Sequence, residues 1–131
     1  MSDRLNHECG LALIRLLKPL EFYQKKYGSV SYGLNKLYLM LEKQHNRGQD
    51  GAGFASIKYN MSPGQRYISR VRSAKSQPIQ HIFKTIKERI EKQLQITPEL
   101  LSHPEKLKEE VPYIGELMLG HVRYGTFGKN S

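Results

Sequence analysis

Three short stretches carry residue types that do chemistry: Glu8-Cys9-Gly10, the run from His45 to Gly53 (HNRGQDGAG), and the run from Gly120 to Thr126 (GHVRYGT). Cys9 is the single cysteine of the chain. One thiol makes no internal disulfide and cannot by itself build a zinc site, which leaves a buried spectator, a redox thiol or a nucleophile. Free cysteine is among the most buried residue types, so the spectator is the plain reading of Cys9 taken alone. Between Arg47 and Gly53 stand three glycines, Gly48, Gly51 and Gly53. Such a loop needs backbone with positive φ or a close approach to another group. An arginine in a strand, such as Arg123, ordinarily lays its stem on apolar neighbours or pairs at the surface. Each stretch is a weak signal by itself.

The elements that position these stretches follow from pattern. Gly10 to Leu17 is short and apolar, as in a strand buried on both faces, and Lys18-Pro19 ends it. Glu21 to Ser31 reads as a connecting loop or short helical turn. Tyr32 to His45 is predicted as a helix, with Leu34, Leu37, Tyr38 and Leu41 on one stripe and Asn46 or Gly48 as its left-handed end. After the glycine-rich loop, Phe54 to Tyr59 alternates as a strand, Pro63-Gly64 turns, and Tyr67 to Val71 returns as a hairpin partner. Gln77 to Gln95 is the second helix, with Pro78 at its start and Ile79, Ile82, Phe83, Ile86, Ile90 and Leu94 on its apolar face. A polar helical piece, Glu105 to Glu110, precedes the last strand, Leu117 to Tyr124. The predicted order is β-α-β-β-α-β, with three or four strands and two helices.

The chain has 131 residues, 38% hydrophobic, enough for one domain with a core and too few for several. No apolar run reaches the roughly 18–20 residues of a spanning helix, and the polar start from Met1 to Glu8 is no secretory signal. A membrane or exported protein is therefore disfavoured, and a lone thiol fits a reducing cytoplasm. The net charge of +9 raises nucleic acid as a partner, but the excess is spread along the chain. Only Arg66, Arg70, Arg72 and Lys75 cluster without an intervening acid, which argues against specific nucleic-acid binding.

In this order, Cys-Gly-Leu-Ala at the start, a Leu-rich helix, RGQDGAG and GHVRYGT, the chain resembles the glutaminase domain of the class II glutamine amidotransferases. These are Ntn hydrolases with an N-terminal cysteine nucleophile. The likeness covers roughly residues 9–60 and 115–131, and its wording is nearest to the branch whose acceptor is phosphoribosyl pyrophosphate. The resemblance implies an α+β fold, a four-layer α-β-β-α sandwich of antiparallel sheets. It implies glutamine as substrate and Cys9 as catalytic nucleophile, attacking the side-chain amide and releasing ammonia. The cysteine's own α-amine would carry the proton; an amine near pKa 7.7–8 and a thiol near about 8.5 exchange it almost evenly. Arg123 matches the arginine that grips the substrate α-carboxylate, which a guanidinium does with two parallel hydrogen bonds. Thr126 matches a helper at the same group. Arg47, Gly48 and Asp50 match the supporting loop, with Asp50 read as a loop organiser.

The resemblance also implies what is missing. Residues 1–8 look like a short propeptide whose removal frees the Cys9 amine. Residues 9–131 look like the N-terminal part of the glutaminase domain, without the rest of it or the phosphoribosyltransferase half. The chain as written is thus expected to be an inactive fragment with open sheet edges and apolar faces, insoluble or molten on its own. No cofactor is expected in it; magnesium belongs to the missing half, as would the further cysteines of any iron–sulfur cluster. The full-length enzyme is expected to be a homo-oligomer transferring ammonia for purine synthesis. The loop reads QHNRG where the family pattern reads QHRG, so either Asn46 is an insertion or His45 is shifted by one position. Two alternatives stay open: the glutaminase half of a glutamine–fructose-6-phosphate aminotransferase or asparagine synthetase, and a non-catalytic basic interaction domain in which Cys9 is core.

Overall fold

The computed structural model describes residues 9–43 and 49–124. Four strands, β1 (Cys9–Arg15), β2 (Gln49–Ile57), β3 (Ile68–Ser73) and β4 (Leu117–Tyr124), form one antiparallel sheet in the order β1-β4-β2-β3. Four α-helices occur among the described residues: α1 (Leu20–Tyr27), α2 (Tyr32–Lys43), α3 (Pro78–Ile96) and α4 (Pro104–Glu110). A 3-10 turn at Pro98–Ser102 joins the last two. The mixed α+β class is as expected from the sequence, with a single sheet among the described residues.

Strand alternation divides the sheet into two faces of different character. One face, with Ala12, Phe54, Met118, Val122 and Tyr124, is buried. The helix α2 covers β1 and β4 there, while α3 covers β2 and β3. Leu34, Leu37 and Leu41 of α2 and Ile79, Ile82, Ile86 and Ile90 of α3 supply the other side of the core. Each such side chain contributes about 1.5–3 kcal/mol when fully buried. This is the periodicity that made both helices readable.

The opposite face is open. Leu11 is 66% exposed, Leu13 56% and Leu119 40%, and Leu13 stands directly opposite Leu119. The expected open apolar face is therefore present, edged by Arg15, Arg70 and Arg72, all exposed.

Three boundaries differ from the sequence reading. The stretch read as a loop or turn before Ser31 contains a two-turn helix, α1, whose Leu20 and Tyr23 are buried and whose Tyr27 stacks on Tyr32 at 4.2 Å. The apolar signal there is short and carried by aromatics, which is why it reads as loop. The strand β2 begins at Gln49, not Phe54. Gly51 and Gly53 thus lie in extended strand and not in a positive-φ loop. Close approach is the reason at Gly53, where an added Cβ would stand 2.4 Å from the His121 imidazole. Finally, β2 ends at Ile57, not Tyr59, and Phe54, Ser56 and the following Lys58 are buried, so two polar residues point into the helical layer.

Lys58 belongs to a buried clasp at one end of the sheet. Its ammonium donates to the carbonyls of Lys108 and Val111, the latter at 2.6 Å. The ammonium of Lys108 donates to Tyr59 O at 2.7 Å and Glu116 Oε2 at 2.8 Å, and pairs with Glu105 at 3.1 Å. Glu116 also accepts from the Tyr59 N–H at 2.9 Å. Its backbone carbonyl accepts from Leu16 N–H, and its own N–H donates to Ile57 O. One carboxylate residue thereby ties the ends of β1 and β2 to α4. Gly115 makes this approach possible, since a Cβ there would stand 2.5 Å from the Ile57 carbonyl oxygen. Backbone cannot yield as a flexible side chain does, so Gly115→Ala is expected to cost about 1–3 kcal/mol in urea unfolding.

Burial, then the neighbouring charges of Lys108 and Arg66, push the Lys58 pKa down to about 8. Lys108 is held above its ordinary range: burial lowers it, but its hydrogen bonds to Glu116 and Glu105 outweigh that. The sign of the Lys58 effect is definite. Between about pH 8 and its ordinary value of 10.5, the unfolded chain retains a proton that the folded chain has released. Stability from this group therefore rises with pH across that window, and a neutral amine still has hydrogens for both carbonyls. Urea midpoints measured from pH 7.5 to 9.5 are expected to climb, and Lys58→Met to flatten the climb.

Candidate functional site

The candidate site lies at the other end of the sheet, on the open face. There β4 runs between β1 and β2, and Cys9 of β1 stands directly opposite Arg123, which in turn stands opposite Gly51 of β2. The next row places Leu11, His121, Gly53 and Arg72 side by side. Antiparallel partners lie about 4.5–5.5 Å apart, so strand pairing alone brings the start of the chain within reach of Arg123.

Arg123 is held on this face by alternation, between buried Val122 and Tyr124, and its side chain is 55% exposed. Its Nη2 is 3.0 Å from Oδ2 of Asp50, whose side chain is only 6% exposed. Asp50 reaches it because β2 slips register between Gln49 and Gly51. Gln49 takes the place opposite Tyr124, and Asp50 becomes the extra residue of a bulge. Bulges re-aim a side chain in this way. Across from Arg123, Gly51 carries no side chain, and the adjacent His121 ring lies over Gly53. The result is a shallow, glycine-floored strip bounded by Arg123, Asp50 and His121.

The structure therefore brings together Cys9, Arg123 and Asp50 from the sequence-predicted set. Asp50 lies in β2 and pairs with Arg123. Arg47, Gly48 and Thr126, with Asn46, lie outside the described residues. Sequence reasoning passed over His121. Its only signal is its place in GHVRYGT two residues before Arg123, which is strand spacing for one face.

Chemically, a half-exposed guanidinium anchored on one side by a buried carboxylate is suited to a carboxylate ligand. No group of three or more His, Cys, Asp or Glu that could hold a metal ion occurs among the described residues. No helix of the described residues is long and apolar enough to cross a membrane. No protein family, curated protein or solved structure matches the chain, so the site rests on its own geometry.

Proposed function

We propose that the chain is the nucleophile-bearing part of a glutaminase of the class II amidotransferase kind, nearest in its motifs to amidophosphoribosyltransferase. The observation that supports this most is the register of β1 on β4, which sets Cys9 opposite Arg123. The distance between a glutamine α-carboxylate and its side-chain amide is spanned by a molecule lying along such a strip. Arg123 grips the carboxylate, and the Cys9 sulfur attacks the amide carbon. The C–N bond breaks, ammonia leaves with the proton taken from the thiol, and a γ-glutamyl thioester remains for water to cleave. The base is the Cys9 α-amine, freed by loss of residues 1–8.

In this reading a second antiparallel sheet packs on the open leucine face to complete the four-layer sandwich. The acceptor, phosphoribosyl pyrophosphate bound with magnesium, and the oligomer contacts belong to other parts of the enzyme, which works in the cytoplasm. The arginine-edged leucine face supports a second reading, a basic interaction domain that uses this face for a protein partner and has no chemistry at Cys9.

A diazoketone analogue of glutamine separates the two. The terminal diazo carbon takes up a proton, and the sulfur attacks it as N2 departs, leaving a thioether. Expected is a single adduct on Cys9, lost in Cys9→Ala, on protein whose mass is short of residues 1–8. An unlabelled Cys9 in folded protein overturns the glutaminase reading in favour of the interaction domain.

A further inference from the structure

We infer that Asp50 is a positioning residue for Arg123, holding one edge of the guanidinium so that the rest of the fork faces an incoming carboxylate; this rests on the glutaminase reading above. An arginine with 55% of its side chain in water samples many rotamers, and a ligand must freeze them. Asp50 is the opposite kind of residue. Its side chain is 6% exposed, and the bulge at Gln49–Gly51 fixes its backbone out of the strand alternation. Of the two partners it is the anchor. The contact is an ion pair of Nη2 with Oδ2 at 3.0 Å, and a guanidinium carries five N–H donors. Arg123 therefore keeps N–H donors for a second carboxylate while its swing is limited, which lowers the ordering cost of binding. Gly51, directly opposite Arg123, leaves the space above that strand unfilled by a side chain.

The alternative role for Asp50 is competition, in which it occupies Arg123 and the substrate must displace it. The two roles have opposite signs. The test measures second-order labelling rates of Cys9 in the full chain with two reagents: the glutamine diazoketone, which has an α-carboxylate, and iodoacetamide, which has none. In the wild type the diazoketone is preferred. Asp50→Asn is expected to cut that preference about three- to tenfold, leaving iodoacetamide labelling unchanged. Asp50→Glu, which restores a carboxylate, is expected to recover part of it. Asp50→Ser, smaller and also uncharged, replaces D50N in the comparison if D50N fails to fold. A preference that is unchanged or increased in the neutral variant overturns the role of Asp50 while leaving the glutaminase reading intact. A wild type without any preference ends the glutaminase reading and this assignment with it.

Discussion

On the glutaminase reading proposed above, Arg123→Ala is expected to raise the glutamine concentration for half-maximal ammonia release by roughly 30-fold to a few thousandfold, with far less change in kcat. The range follows from about 2–5 kcal/mol for truncating one partner of a hydrogen-bonded charge pair, at about 1.4 kcal/mol per factor of ten. Two losses combine. The substrate carboxylate has no fork to enter, and Asp50, a largely buried carboxylate, loses its cation at 3.0 Å. Arg123→Lys separates these contributions, because an ammonium keeps the charge without the two-point geometry. It is expected to fall between alanine and wild type. Steady-state ammonia release by the mature full-length enzyme is the check, and a KM within threefold of wild type for the alanine variant removes Arg123 from the site.

The second large effect concerns folding. Glu116→Gln is expected to destabilise the chain by about 3–5 kcal/mol, the range for leaving a buried charge without its partner. The substitution preserves shape. It removes the one buried carboxylate shared by the clasp, while Lys108 and Lys58, 2% and 6% exposed, remain beneath α4. Only Glu105, half-exposed at 55%, is left to face Lys108. Lys108→Met is expected to cost less. Lys108 is the largest neighbouring charge acting to lower the Lys58 pKa, and its removal leaves Lys58 beside Glu116. Urea denaturation of both variants reads the difference, and an E116Q chain within 1 kcal/mol of wild type would show that backbone hydrogen bonds alone hold that end.

Helices α2 and α3 and strand β4 were legible because each buries one side of a regular pattern, at a period of 3.6 or 2. The start of β2 was not. Glycine runs signal turns, and nothing local reveals that Gly53 lies under the ring of a histidine 68 positions later. The Lys58–Lys108–Glu116 clasp was illegible for a related reason. Lysine signals solvent in any sequence pattern, and only tertiary packing supplies the carbonyls that satisfy it. Of the site, Cys9 and Arg123 were singled out by motif resemblance, but their adjacency is a matter of register. The bulge that turns Asp50 towards Arg123 is a register slip of one residue, which no composition or periodicity encodes.

The strand order has a consequence for how the molecule is made. Among the described residues β1 has β4 as its one sheet neighbour, and Cys9 stands opposite Arg123 across 114 steps of chain. A ribosome delivers β1 long before β4, so β1 waits without that partner through the synthesis of β2, β3 and the four helices between them. Closing so long a loop is slow relative to the local hairpin of β2 and β3. The pairing of Cys9 with Arg123 is accordingly the last of these strand contacts to form, and any event that needs it is timed by the arrival of β4.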